Sequence, residues 1–262
     1  MSDRVISELL RAAHQFDPAA HVPFLCAHAR VGWLRKAHAQ RLLEWPDVFK
    51  RDARGVRIAE HLTEPAARTA EIGRVISRLH EEGTIAGWRN ERYAVTTAFD
   101  ASPLFHIERA AARFFGTTTY AAHANGYGGG GMWLARRART KPIDPGLLDN
   151  LVGGGMCAGV EPLDTIVREA WEEAGVPEAV ARQARQAATL EILREVPEGV
   201  QSETLFVFDL ELPDGFEPRN QDGEVAEFRR VALRDVRELA DGRRMTLDAS
   251  LVAWNFLARH AL

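Results

Sequence analysis

The sequence predicts an α/β protein, with a mixed β-sheet held between helices and a smaller α+β part in front of it. Three observations predict this. Amphipathic helix patterns stand in the first half, at Val5–Ala13 and at Ile72–Leu79. The second half mixes apolar or alternating strand runs, Thr189–Val196 and Glu203–Leu212, with helix patterns but without strict βαβ alternation. The texture changes at Thr117, where a helix-rich stretch gives way to β-branched and glycine-rich sequence. A chain of 262 residues allows one to two domains at ~150 residues each. The boundary is expected near Gly116, giving parts at 1–116 and 117–262.

Each element follows in order. Val5, Ile6, Leu9, Leu10 and Ala13 recur at helical spacing, and Asp3, Arg4, Glu8 and Arg11 interrupt them. That pattern predicts an amphipathic first helix rather than a signal peptide, which needs an unbroken apolar run. His21–Val31 reads as a strand leading into Gly32-Trp33. Arg35–Glu44 suits a short helix ended by Trp45-Pro46. A helix starting at Pro65 runs to Glu82 and stops at Gly83. Ile85–Val95 is a loop and strand with its bend at Gly87, Arg89 and Asn90. His106–Phe115 is predicted helical and closes at Gly116. Thr118–Ala124 and Met132–Ala135 flank the run Gly128–Gly131 and form a hairpin. The glycines lack the strand–GxxxxGK[ST]–helix context of a phosphate cradle. Gly153–Gly155 reads as a turn before a helix at Glu161–Ala174, and a second helix is expected at Glu178–Ala188. After the two strands come a short strand at Phe228–Val231 and helices at Ala232–Ala240 and Leu247–His260.

Composition narrows the function. Hydrophobic residues make up 46% and charged residues 27%, the balance of a globular domain with its own core. Lys plus Arg is 33 against 37 Asp plus Glu, a net charge of −4, which excludes a dedicated nucleic-acid binder. No stretch reaches ~18 uncharged apolar residues, so no membrane span is expected. Cys26 and Cys157 cannot build a disulfide framework or a cysteine-rich zinc site. A reducing, cytoplasmic setting is the expectation. None of the nine histidines stands in an HxxxH or HxH pair, so they read as surface or core residues. Cys157 reads as a small packing residue.

The segment Gly153–Val176, GGGMCAGVEPLDTIVREAWEEAGV, carries the chemistry. Helical residues turn by ~100° each. With Glu169 at zero, Glu172 lies at about −60° and Glu173 at about +40°. Leu163, Ile166, Val167, Ala170 and Ala174 fall between about 60° and 160°. The three carboxylates therefore share one arc beside the buried face. Like charges at such spacings repel; a solvated acidic face is one alternative, and a hard divalent cation that reverses the sign is the other. Arg168, four residues before Glu172, is placed to orient it by a charge-assisted bond.

The segment resembles the Nudix box, G-x5-E-x7-R-E-U-x-E-E-x-G-U, where U is aliphatic. Gly154 takes the first position, and Arg168, Glu169, Ala170, Glu172, Glu173, Gly175 and Val176 match the second half in register. The first Glu of the pattern falls on Val160, with Glu161 one place late. The resemblance extends over nearly the whole chain. GTIAGWRNERYAV (Gly83–Val95), HIERAAARFFG (His106–Gly116), LDNLVGGG (Leu148–Gly155) and LELPDGFEPRNQDGEVAEF (Leu210–Phe228) are similar to a branch with a DUF4743-type N-terminal region. That branch holds fungal and plant proteins directed at thiamine diphosphate and its oxo and oxy damage forms.

The resemblance implies a Nudix fold and a metal-dependent pyrophosphohydrolase acting on a small-molecule diphosphate. Glu169, Glu172 and Glu173 would hold Mg²⁺ or Mn²⁺, with Arg168 beside them and Gly154 and Gly155 close to the substrate. Glu224 is the favoured general base, with Glu227 and Asp222 behind it. Arg136 and Arg137 are candidate phosphate contacts. Arg89, Asn90, Arg109 and Trp88 are candidates for the organic half of the substrate, and Trp88 or Tyr127 for stacking on its ring. A homodimer is compatible with all of this. The alternatives are hydrolysis of ADP-ribose or another nucleoside diphosphate derivative, an isopentenyl-diphosphate-type isomerase, and a catalytically silent binding module.

Overall fold

The computed structural model describes residues 2–141, 143–240 and 244–260, with side chains from Ile6 onward. Helix α1, Ser2–Ala13, is followed by strands β1 (His21–Cys26) and β2 (Ala29–Arg35), helix α2 (Lys36–Leu42), and strands β3 (Phe49–Asp52) and β4 (Gly55–Ile58). The strands form one sheet in the order β2-β1-β4-β3. Helix α3 (Pro65–Glu81) leads to a separate two-stranded ribbon, β5 (Arg92–Val95) and β6 (Phe105–Glu108), and then to the one-turn helix α4 (Ala112–Phe115). Phe24, Phe49, Phe105 and Phe115 meet inside a core drawn from these elements.

The second half builds a larger sheet. Its strands are β7 (Thr118–Gly128), β8 (Gly131–Arg137), β9 (Leu148–Asn150), β10 (Val152–Gly155), β11 (Arg185–Val196), β12 (Gly199–Glu211) and β13 (Val225–Ala232). They run β11-β12-β7-β8-β13, with β10 beside β7 and β9 beside β8. The β12–β7 pair is parallel and the others are antiparallel, so the sheet is mixed. Helices α5 (Pro162–Ala174) and α6 (Glu178–Ala181) cover one face; α7 (Leu233–Leu239) and α8 (Leu247–Arg259) belong to the other. Alternation along β7 divides the two cores: Ala122 and Ala124 pack towards Ile166, Ala170 and Ala174 of α5, while Ala121 joins Leu205, Val207 and Phe256.

Helix α1 does not pack with the sheet that follows it. Leu9 and Ala13 are buried in the cluster that contains Phe256 and Leu257 of α8. The Glu195 N–H also donates to the Gln15 carbonyl at 3.1 Å. The first helix thus joins the second core, while residues 18–116 keep their own.

Four local expectations are corrected. His21–Val31 is not one strand but the β1–β2 hairpin, turned at Ala27 with φ 52°; alanine gives no turn signal, and pairing forces the conformation. His106–Phe115 is not one helix. Its first residues pair with β5, and the helical turn starts only after Glu108, whose carboxylate accepts from the Ala110 N–H at 3.3 Å. Gly153–Gly155 is a strand rather than a turn, because it pairs with β7 from Ala121 to His123. The helix at Glu178–Ala188 stops at Ala181, and Arg185 already pairs with Asp209 of β12. In each case a tertiary partner overrides local propensity.

The passage between the two halves is made at close quarters. Gly116 has φ 58°, and a Cβ there would run into the Trp33 carbonyl, while the Trp33 N–H donates to the Gly116 carbonyl at 3.2 Å. Gly116→Ala is therefore expected to cost about 2 kcal/mol or more. Urea denaturation measures it; a loss below ~0.5 kcal/mol contradicts this account of the junction.

Candidate active site

Helix α5 begins with Pro162 in its first turn and ends at Gly175, which adopts φ 65°. Proline needs no N–H partner there, and glycine closes the helix in the left-handed region. Ile166, Ala170 and Ala174 seat the helix on the sheet, and that seating turns the acidic arc towards β10. The Gly153 N–H donates to Glu173 Oε2 at 2.9 Å. The Glu169 carboxylate lies over Gly154, where any Cβ would collide with it. A Cβ at Gly155 would strike the Tyr93 hydroxyl, and one at Gly153 would come within 2.7 Å of the His123 ring. Each glycine of β10 thus faces a different neighbour.

Arg168 spans the arc. Its Nη2 donates to Glu169 Oε1 at 2.6 Å and its Nη1 to Glu172 Oε2 at 2.8 Å. Exposure falls across the set: the side chain of Glu172 is 42% exposed and that of Glu169 13%, while Glu173 is 8% exposed as a residue. Burial raises Glu169, the Glu172 charge adds to the rise, and Arg168 opposes it. Burial likewise pushes Glu173 well above the ordinary carboxylate range, helped by Glu169 and Asp149 and opposed by the Gly153 N–H and Lys141.

The loops opposite bring further charge. Lys141 forms an ion pair with Glu224 and stands within electrostatic reach of Glu173, Asp149 and Asp222. Arg137 donates to Asp149 Oδ2 at 2.8 Å and to the Ile143 carbonyl. Lys141, Asp149 and Tyr93 were missed by sequence reasoning. Lys141 is one of only three lysines in an arginine-rich chain, a weak signal that becomes informative only beside Glu224.

The other expected residues divide. Arg136 is held by Glu227 at 2.6 Å and by the Gly146 carbonyl at 2.7 Å. Glu227 is held below the usual carboxylate range by Arg136 and Arg229, which makes it a poor base. Arg89 and Asn90 are not brought to the box. The Arg89 N–H donates to Glu108, and Asn90 accepts from Trp88 Nε1 at 2.7 Å beside a groove between α3 and the β5–β6 ribbon. Trp88 lies against His80, and Tyr127 against Phe256, on other parts of the surface and core. Arg109 does reach the site. It packs against Gly155, pairs with Glu91 at 2.9 Å and stands within electrostatic reach of Glu169. Burial and Glu91 push the Cys157 thiol up, as suits a packing residue.

Among the described residues no three His, Cys, Asp or Glu side chains close into a metal-ligand cluster. The donor set nonetheless fits a hard divalent cation. It offers carboxylate oxygens from one helix, two of them desolvated and mutually repelling, against a glycine backbone that leaves room beside them.

Glu173 supplies a test of this electrostatic picture. Its folded-state pKa lies above the unfolded one, so the penalty is absent below about pH 4 and grows as pH rises towards the folded value. Glu173→Gln keeps an acceptor for Gly153 and removes the charge. In chelator-treated protein at about pH 7 it is expected to raise Tm by about 2–4 °C, and added Mn²⁺ should then stabilise the variant less than the parent. Thermal unfolding with and without Mn²⁺ decides; a lowered Tm contradicts the assignment.

Comparison with known proteins agrees with the geometry. A family described as NUDIX domain matches residues 120–254, and one described as a domain of unknown function, DUF4743, matches residues 4–119. Nudix hydrolase 24, chloroplastic, of Arabidopsis thaliana is 36% identical over 248 residues, covering 92% of this chain and 68% of that protein. Nudix hydrolase 20, chloroplastic, of the same plant is 35% identical over 253 residues, covering 91% and 68%. A solved Deinococcus radiodurans protein shares the fold at 20% identity and a TM-score of 0.50, covering 62% of this chain and 97% of its own.

Proposed function

This chain belongs to the Nudix hydrolase family, and from that premise we propose that it hydrolyses thiamine diphosphate, or its oxo and oxy damage forms, to the monophosphate and phosphate. Nudix hydrolases act on phosphoric anhydrides and generally use divalent metal ions. The observation that carries the assignment of the site is the acidic arc of α5 seated on the glycine strand, with Arg168 bonded to two of its carboxylates. The narrower substrate rests on the resemblance of the whole chain, N-terminal part included, to the thiamine-directed branch.

Glu169, Glu172 and Glu173 would hold Mg²⁺ or Mn²⁺. A cation bound there neutralises diphosphate charge and makes a water more acidic. The remaining work belongs to the chain. The Gly153 N–H fixes Glu173, and Arg168 aligns Glu169 and Glu172. Glu224 accepts the proton of the attacking water once it parts from Lys141. Lys141, Arg137 and Arg109 surround the diphosphate with positive charge. Water adds to one phosphorus, the bridging P–O bond breaks, and phosphate leaves the organic monophosphate.

Glu172→Gln should lower phosphate release from thiamine diphosphate by about 10²-fold or more with Tm unchanged. Activity that survives the change removes the metal assignment. ADP-ribose, assayed alongside with and without Mg²⁺, separates the thiamine substrate from a nucleoside diphosphate derivative. For the base, Glu224→Gln should abolish the acidic limb of the pH–rate profile; an unchanged limb takes Glu224 out of the mechanism.

A further inference from the structure

Beside the box lies a pocket that neither Trp88 nor Tyr127 enters. It is a small open cleft with about 50 Å³ of space, set between the two halves of the chain. One wall is the ribbon strand β5 and the segment after it, with Tyr93 and Phe99; another is Tyr120 of β7; the third is the loop from Met156 to Val160 that joins β10 to α5. The walls are held in place. The Met156 N–H donates to the Tyr120 carbonyl at 2.8 Å and the Ala158 N–H to the Arg92 carbonyl at 3.2 Å, so both halves pin the loop. The Phe99 ring meets Tyr120 edge-on, with centroids 5.0 Å apart, and Phe206 at 4.8 Å. The Tyr120 hydroxyl shares a hydrogen bond with Thr96 at 3.2 Å, which fixes the ring.

Two features tie this pocket to the box. Tyr93 lines it, and its hydroxyl lies against Gly155, next to the glycine that Glu169 covers. Val160 also lines it, and Val160 stands where the box pattern has its first glutamate. A carboxylate there would put a charge into an aromatic wall; valine keeps that wall apolar. The departure from the pattern and the pocket are therefore one feature.

We infer that this pocket is the subsite for a flat aromatic ring on the organic half of the diphosphate substrate, and that Val160 sets its preference for a ring over an aliphatic chain. The inference rests on the diphosphate assignment of the adjoining box. Aromatic rings favour edge-to-face and offset contacts of the kind Phe99 and Tyr120 offer. The N-terminal part thereby supplies substrate selection, through Tyr93 and Phe99, to chemistry carried out on α5.

Two probes with the same charged half test it: benzyl diphosphate, with a ring, and isopentenyl diphosphate, without one. Their affinities are measured by titration calorimetry on full-length Glu172→Gln protein, which does not consume them, with Mn²⁺ present. Benzyl diphosphate should bind about tenfold tighter. Adding Val160→Glu or Phe99→Ala should each remove that preference while leaving isopentenyl diphosphate within about twofold. Circular dichroism checks that each variant folds, and either variant alone suffices for the test. Equal affinities in the parent, or a preference that survives both changes, overturns the subsite. Hydrolysis by the unaltered chain is scored separately. Failure to release phosphate from any diphosphate overturns the hydrolase assignment, while the binding comparison still judges the pocket.

Discussion

The contact on which the rest depends is between two desolvated carboxylates and the three glycines of β10. Glu173 reaches the Gly153 N–H, and Glu169 lies on Gly154. A Cβ at position 154 would displace the Glu169 carboxylate, while Val152 of the same strand shares the core of Ile166, Ala170 and Ala174 with Ala122 and Ala124. Seating the helix this closely desolvates charge. Burial raises both glutamates, and the guanidinium of Arg168 offsets part of that burden. A hydrophobic helix face thus delivers the acids to the place where burial disfavours their charge most, which is also where a bound cation has the most to neutralise.

The N-terminal half takes part in this arrangement from two sides. Helix α1 packs under α8 on the far face of the sheet, and the β5–β6 ribbon lies against the loop that precedes α5. Tyr93 of that ribbon, Glu91 just before it and Arg109 in the turn after it border the box directly. The net charge of −4 is therefore unevenly distributed. Around α5, negative carboxylates are ringed by Arg109, Arg137, Lys141 and Arg168, an arrangement suited to a small anion bridged by cations.

Much of the candidate site was legible in the chain. The arc of Glu169, Glu172 and Glu173, the Arg168–Glu172 pair and the close at Gly175 all lie within one helix, where the spacing of residues is their geometry. The β7–β8 hairpin and the helices from Leu233 onward were legible for the same reason, since turn chemistry and apolar period are local. Trp88, Arg89 and Asn90 looked as suitable as Tyr93, Phe99 and Arg109, because both sets are aromatic, amide or cationic residues of one segment of sequence or its partner strand. Only the tertiary fold decides which of them turn towards the box.

What the sequence determined by itself was the chemistry carried by short-range order: the fold class, the acidic helix, its orienting arginine and the need for glycine before it. Tertiary structure alone decided that those glycines form a strand, that Glu169 is covered as well as Glu173, and that Lys141 pairs with Glu224. It also decided that Val160 belongs to an aromatic pocket. These facts depend on residues tens of positions apart being brought into contact by sheet pairing and core packing. Burial and Coulomb energies follow that proximity in space, whereas sequence periodicity encodes only neighbours on the same element.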